Sequence, residues 1–177
     1  MKRIAVFLAV IAMAAFAVTS NAQMLTEGTR EITLRGGVDF DGAAGTEADI
    51  GVGYGVYVMD NVLVGGTANW YDDGGDVTRY GVGAYGEYSF PELMPESQFV
   101  PYVGGNAAWQ YSETTPEDSG SDAMELTARL GGKYFLSDSV ALDLGLNFSW
   151  ATDDIYNNDG EIEDTDWGLS WGVRAFF

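Results

Sequence analysis

The chain has 177 residues, of which 27 are acidic and 8 are basic, and it contains no cysteine and no histidine. The lack of cysteine excludes disulfide bonds and thiolate chemistry, and the lack of histidine removes the commonest general base and transition-metal ligand. A formal net charge of −19 would repel nucleic acid, so we exclude nucleic-acid binding.

The first 22 residues differ in composition from the rest of the chain. Two basic residues precede an uncharged apolar run at 4–18, and small residues follow at 20–22. The run is shorter than the roughly 20 residues that a membrane-spanning helix needs. The pattern therefore predicts a cleaved signal peptide at 1–22 rather than a membrane anchor, followed by one domain at 23–177.

From position 29 onwards, apolar and polar residues alternate almost without interruption. Strict alternation places successive side chains on opposite faces of a strand, and clusters of Gly, Asp, Asn, Ser and Pro separate the alternating segments. In chain order, strands are predicted at 29–40, 47–59, 62–71, 77–90, 99–112, 123–136, 140–151 and 166–177. Short connections alternate with longer ones, which predicts eight antiparallel strands in up-and-down order.

One face of each predicted strand is apolar, and these faces hold all five tryptophans. Aromatic residues on them lie near the strand ends: Trp70, Trp109, Trp150 and Trp167 on the side of the longer loops, and Phe90, Phe99, Tyr134 and Phe177 on the side of the short turns. Two aromatic belts that flank an apolar band are typical of membrane interfaces. Eight strands leave an interior just wide enough for side chains, which suits the glycines and few long charged residues of the opposite faces. We therefore expect the apolar faces to point outward into lipid.

The last predicted strand has the most regular pattern, because Trp167, Leu169, Trp171, Val173, Ala175 and Phe177 all fall on its apolar face. With this ending the chain resembles the small eight-stranded outer-membrane barrels, such as the transmembrane domain of outer membrane protein A and outer membrane protein X. The resemblance implies an all-β, eight-stranded antiparallel up-and-down transmembrane β-barrel, exported to the outer membrane of a Gram-negative cell.

The same resemblance implies that the barrel-assembly machinery recognises the C-terminal strand. It also implies that the short turns and both termini face the periplasm and that the longer loops face outside. No peptidoglycan-binding domain follows Phe177, so tethering to the cell wall is not expected.

Ten charged residues on the faces that would line the lumen are candidates for pairing: Arg35, Glu47, Asp49, Arg79, Glu87, Glu125, Arg129, Lys133, Asp143 and Arg174. Unpaired buried charges are costly, so we predict an ion-pair network that fills the lumen. A turn centred on position 138 would place Lys133 opposite Asp143, with Arg174 at a similar depth. A small porin or channel for ions or small solutes is the alternative.

Four predicted loops, at 41–46, 72–76, 113–122 and 152–166, hold fifteen acidic residues and no basic one. Hard cations prefer such oxygen ligands. A weak candidate calcium site in the last loop comprises Asn157, Asp159, Glu161, Glu163 and Asp166. Ile155 stands where an EF-hand needs its first Asp, so a solvated, repulsive loop is the other interpretation. We expect the same loops to contact lipopolysaccharide through bridging divalent cations, or to contact an extracellular partner.

No catalytic motif stands out. Gly81, Gly83 and Gly86 match a dinucleotide fingerprint by letters, but they lie inside one alternating segment, whereas the motif needs a strand before it and a helix after it. Without histidine, a Ser-His-acid mechanism cannot be built, so we expect no enzymatic activity and no cofactor beyond a divalent cation. A soluble lipid-binding barrel, with its apolar face inward, is a third interpretation.

The signal-peptide prediction is tested directly by N-terminal sequencing of the protein purified from outer membranes. Cleavage after Ala22 gives a mature chain that starts at Gln23. A mature chain that still carries Lys2 and Arg3 would contradict the prediction and support the anchor.

Overall fold

A computed structural model shows a closed antiparallel barrel, and it describes residues 25–42, 45–72, 77–114, 119–153, 156–158 and 161–177. The wall consists of β1 (Arg30–Gly42), β2 (Gly45–Met59), β3 (Val62–Asp72), β4 (Val77–Ser89), β5 (Phe99–Thr114), β6 (Ser119–Ser137), β7 (Val140–Ala151) and β10 (Thr165–Phe176). A two-stranded hairpin, β8 (Tyr156–Asn158) and β9 (Glu161–Glu163), lies between β7 and β10, and a short 3₁₀ helix (Pro91–Leu93) follows β4. No helix in the described ranges is long and apolar enough to cross a membrane.

Each wall strand pairs with its neighbours in chain order, and β10 closes the barrel against β1. This confirms the predicted all-β, eight-stranded up-and-down fold. At the closure, Glu31 lies opposite Phe176. When the paired positions are followed from Glu31 through β2 to β7, they lead to Asp166 on β10, ten positions before Phe176. The strands are therefore staggered by ten residues around the barrel. Such a stagger tilts the strands of a barrel, which sets the width of the lumen.

The strands extend further into the loops than the alternation indicated. The predicted loop 113–122 is mostly strand, because β5 runs to Thr114 and β6 begins at Ser119. Backbone pairing likewise continues through most of 41–46, and the predicted loop 152–165 contains the hairpin of β8 and β9. Backbone hydrogen bonds do not need an apolar face, so pairing continues where the hydrophobic pattern has ended.

The apolar faces point outward. Val82, Leu144 and Leu169 on this surface are 57%, 61% and 69% exposed. The charged side chains of Lys133 and Arg174 are instead completely buried in the lumen. The interpretation as a soluble barrel with an inward apolar face is therefore wrong, because the inner surface of this barrel is polar.

Glycines on the inner face make room for tyrosine rings that lie across the lumen. A Cβ added at Gly55 would come within 2.6 Å of the Tyr85 hydroxyl oxygen, and one added at Gly131 would come within 2.6 Å of the Tyr102 hydroxyl oxygen. Both tyrosines are buried. Bulky rings from two strands thus fill the space that glycines on other strands leave empty.

This packing is tested by comparing Gly65→Ala with Gly66→Ala. A Cβ at Gly65 would lie 2.7 Å from Tyr85 Cε1 and 2.8 Å from Gly55 Cα, whereas a Cβ at Gly66, which faces outward, would meet nothing closer than the Gly83 carbonyl oxygen at 3.7 Å. Overpacking a core typically costs about 1–3 kcal/mol, so Gly65→Ala should lower the free energy of unfolding in urea by that amount. Gly66→Ala is the matched control. Equal stabilities would contradict the tight lumen.

Candidate functional site: the filled lumen

Arg174, on β10, is completely buried in the lumen and contacts a carboxylate from each of three other strands. Its Nη1 donates to Glu31 Oε1 on β1 at 3.0 Å. Its Nη2 donates to Glu87 Oε2 on β4 at 2.8 Å and to Asp143 Oδ1 on β7 at 3.0 Å. The guanidinium carbon also lies 4.7 Å from the centroid of the Tyr102 ring. Charge-assisted bonds to a planar guanidinium are strong and directional, so one side chain ties together strands on different sides of the wall.

Lys133, on β6, provides the second buried cation. Its ammonium forms ion pairs with Glu87 and, at 3.7 Å, with Glu31. It also donates to the Tyr57 hydroxyl at 2.7 Å and to the Ser89 hydroxyl at 3.1 Å. The ammonium nitrogen therefore has polar partners on β1, β2 and β4.

Arg35, on β1, is the third cation of this group, and its Nε lies 3.4 Å from Asp143 Oδ2 on β7. Tyr102 donates to Asp143 Oδ1 at 2.8 Å. We refer to Glu31, Arg35, Glu87, Lys133, Asp143 and Arg174 as the ion-pair cluster. It has three acids and three bases, so its formal charge is balanced, as buried charges require.

The structure thus brings together five of the ten residues that the sequence placed in the lumen network: Arg35, Glu87, Lys133, Asp143 and Arg174. The expected register is also present, because Lys133 lies opposite Asp143. However, Lys133 pairs with Glu87 and Glu31 instead of Asp143. The long lysine side chain spans the narrow lumen, while Asp143 accepts from Arg174, Arg35 and Tyr102.

Three more of the ten line the lumen closer to the loops. Arg129 Nε donates to Asn147 Oδ1 at 2.7 Å, and the Arg79 guanidinium carbon lies 4.0 Å from the Tyr71 ring centroid. Glu125 accepts hydrogen bonds from Gln110 at 3.2 Å and from Thr127 at 2.9 Å. Hydrogen bonds and a cation–π contact hold this loop-side layer of the lumen.

The last two predicted network residues lie at the loop end of β2. Asp49 is exposed there. The side chain of Glu47 lies outside the part of the chain that the structure describes.

Glu31 is the main residue that the sequence analysis missed. It is completely buried, pairs with Arg174 and Lys133, and accepts a hydrogen bond from Thr33 at 2.7 Å. Its position was available from parity, because Glu31, Thr33 and Arg35 alternate with the apolar residues of the first strand. The buried tyrosines Tyr57 and Tyr102 follow the same parity rule on their strands.

A small cavity in the lumen borders the ion-pair cluster. It lies against the inner faces of β4, β5 and β6, and its lining includes Tyr85, Glu87, Asn106 and Arg129. Its volume of about 10 Å³ is about what one water molecule needs.

On the outer surface, six predicted belt residues are exposed: Trp70, Trp109, Trp150, Trp167, Tyr134 and Phe177. Phe90 and Phe99 are half-buried. Phe90 packs edge-to-face on Tyr88, with ring centroids 4.7 Å apart, and the Phe99 ring covers Gly132, where a Cβ would collide with it.

The candidate calcium residues fall mostly outside the described side chains. The backbone of Asn157, Glu161 and Glu163 belongs to the hairpin of β8 and β9, with Asn157 opposite Ile162. Asp159 lies outside the described residues, and Asp166 lies in β10. Within the described residues, no group of three or more acidic side chains is arranged to hold a metal ion. A calcium site here stays a prediction.

Solved barrels with the same architecture match the chain closely in length. The N-terminal β-barrel domain of Pseudomonas aeruginosa OprF superposes with a TM-score of 0.61 at 19% identity, covering 85% of this chain and 98% of that one. The outer membrane protein OprG of Pseudomonas aeruginosa gives 0.54 at 14% identity, covering 89% and 99%. The chain has the fold of the small outer-membrane barrels.

Neisserial surface protein A supports the same conclusion, with a TM-score of 0.54 at 19% identity and coverage of 84% of this chain and 95% of that one. No protein-family model and no curated protein matches the chain. These structures therefore confirm the resemblance at the level of the fold.

The central role of Arg174 is tested by Arg174→Met. The substitution leaves Glu31, Glu87 and Asp143 with fewer cationic partners, and breaking a buried ion pair typically costs about 3–5 kcal/mol. The free energy of unfolding in lipid vesicles should fall by that amount. Arg30→Met, an exposed position on the same sheet, is the control and should change stability by less than about 0.5 kcal/mol.

If the loss arises from unbalanced buried charge, the double variant Arg174→Met/Glu31→Gln should be more stable than Arg174→Met alone. A double variant that is less stable than the single variant would show that the charge balance is not what matters.

Proposed function

We propose that the protein is an integral outer-membrane barrel of a Gram-negative cell, with a structural or surface-interaction role and a lumen closed by the ion-pair cluster. One observation carries the proposal: the barrel has an apolar outside and a charged, filled inside. Soluble monomers rarely expose large continuous apolar surfaces. A closed barrel is also the way in which β-strands satisfy their backbone groups in hydrocarbon.

The arrangement of aromatic and apolar residues on the outer face of β10 supports a membrane location. On β10, the outward residues from Trp167 to Phe177 place an aromatic residue at each end and apolar residues between them. Outer-membrane barrels carry an apolar band about 25 Å tall between two aromatic girdles. The alternating apolar face of β10 is also the feature that we expect the barrel-assembly machinery to recognise.

The interaction role is assigned to the loop end. Binding residues are commonly carried on loops that a rigid scaffold positions, and the acidic loops of this chain are suited to divalent cations. Through such cations they would contact lipopolysaccharide head groups, or they would contact an extracellular partner of complementary charge. A divalent cation at the acidic loops is the one cofactor that this proposal includes.

A small porin is the competing function, and the filling of the lumen disfavours it. Arg174 and Lys133 are completely buried inside the barrel, where they pair with carboxylates from β1, β4 and β7. A catalytic role is disfavoured by the chemistry of the sequence, which offers no histidine or cysteine.

The location is tested on membranes of a Gram-negative host that expresses the protein. The protein should fractionate with outer membranes and resist extraction without detergent, because its outer surface is apolar. It should also migrate differently on a gel before and after boiling, since the closed barrel must be heated to unfold. Identical migration together with a soluble fraction would contradict the membrane assignment.

The closed lumen is tested by recording single channels of the same purified protein in a planar bilayer. We expect no steady conductance. Large, steady steps would overturn the closed-lumen role and favour the porin.

A further inference from the structure

The turn end of the lumen is closed by apolar side chains rather than by charges. Eight buried residues form one apolar cluster there, and two of them, Tyr57 and Tyr85, also contact charged side chains of the ion-pair cluster. The other six form this closure, which we call the apolar floor: Leu25, Leu63, Val100, Phe135, Ala141 and Phe176. The rings of Phe135 and Phe176 stack with their centroids 5.3 Å apart. Five members come from the ends of five wall strands, and the sixth comes from the segment before β1.

The apolar floor is a layer distinct from the ion-pair cluster. On β6, Phe135 lies two positions nearer the turn than Lys133, and on β10, Phe176 lies two positions beyond Arg174. On β7, Ala141 precedes Asp143 in the same way. Inward residues two positions apart on a strand are neighbours along the axis, so the two layers lie in series along the lumen.

Leu25 reaches the floor because the segment before β1 folds across the mouth of the barrel. We call Leu25–Thr29 the lead. Its backbone is held by the turn between β2 and β3: Asn61 N–H donates to the Leu25 carbonyl at 2.7 Å, and Glu27 N–H donates to Asp60 Oδ1 at 2.9 Å. Gly28 N–H donates to the Tyr57 carbonyl at 2.8 Å.

The side chains of the lead differ in their exposure to solvent. Leu25 is 2% exposed and Thr29 is 8% exposed, whereas Thr26 and Glu27, between them, are exposed. The lead therefore contributes one apolar side chain to the interior, while hydrogen bonds fix its backbone to Asp60 and Asn61 of the turn and to Tyr57 of β2.

We propose that the lumen has two seals in series, the ion-pair cluster and the apolar floor, and that Leu25 of the lead completes the second. The inference rests on the proposed closed-lumen barrel and specifies how it is closed. The two seals work by different physics. The cluster blocks the pore with paired charges, and the floor excludes water, as hydrophobic constrictions in channels do.

Removal of either seal alone should therefore leave the pore closed. Conductance should appear only when the cluster is truncated and the lead is displaced together. A displaced lead would expose the floor to the periplasmic side in the proposed orientation.

Planar-bilayer recordings of the full protein, purified from membranes, test this with three variants. The cluster variant is Glu87→Ala/Arg174→Ala, the floor variant is Leu25→Gly/Phe135→Ala, and the third combines all four substitutions. With Glu87 and Arg174 removed from the cluster and Leu25 and Phe135 truncated in the floor, the combined variant should conduct about tenfold more than either double variant. Glu27→Ser, at an exposed position of the lead, combined with the cluster variant is the matched control and should stay closed.

The outcomes separate the two proposals. Steady conductance by the unsubstituted protein would contradict the closed-lumen function itself. If that protein is closed, full conductance by either double variant alone would overturn the two-seal inference, and so would a combined variant that folds, as judged by its gel shift, yet stays silent.

A milder pair of variants tests the lead without truncating the cluster. The chain has no cysteine, so Ala141→Cys introduces a single thiol into the floor, where Ala141 is completely buried. A membrane-impermeant thiol reagent should label this thiol about tenfold faster when Leu25→Gly is added, because thiol reactivity follows exposure. Equal labelling rates would show that Leu25 does not seal the floor.

Discussion

The contacts of Arg174 hold the inside of this barrel together. The guanidinium lies on β10, the strand that closes the wall, and its carboxylate partners come from β1, β4 and β7. Each partner is buried and would be costly to leave uncompensated. The pairing therefore links the closing strand to both of its neighbours, β1 and β7, and to β4 across the lumen. The register of the barrel and the charge balance of its lumen depend on each other.

The narrow lumen explains the rest of the interior. Eight strands with a ten-residue stagger leave room for little more than side chains, and the sequence uses that room by placing glycines opposite tyrosines. Tyr85 lies over Gly55 and Gly65, and Tyr102 lies over Gly131. The tyrosine hydroxyls also donate hydrogen bonds to buried carboxylates, as Tyr102 does to Asp143. Glycine, tyrosine and ion pair thus form one packing arrangement, not three separate features.

Several elements were predictable because they depend on local periodicity. The alternation of apolar and polar residues located all eight wall strands, and the turn centred on Asp138 placed Lys133 opposite Asp143. The partners of Lys133 were not predictable in this way, because Glu31 and Glu87 lie on strands across the lumen. The hairpin of β8 and β9 was missed because short, polar strands have no apolar face to reveal them.

The sequence by itself determined the number of wall strands, their order, and which face of each is apolar, because these follow from a period of two and from turn chemistry. Tertiary structure alone decided that Glu31 shares Arg174 with Glu87 and Asp143, and that Leu25 of the lead reaches the apolar floor. Those contacts depend on the stagger of the closed wall and on the reach of side chains across the lumen. Neither the stagger nor this reach can be derived from the residue pattern of a single strand.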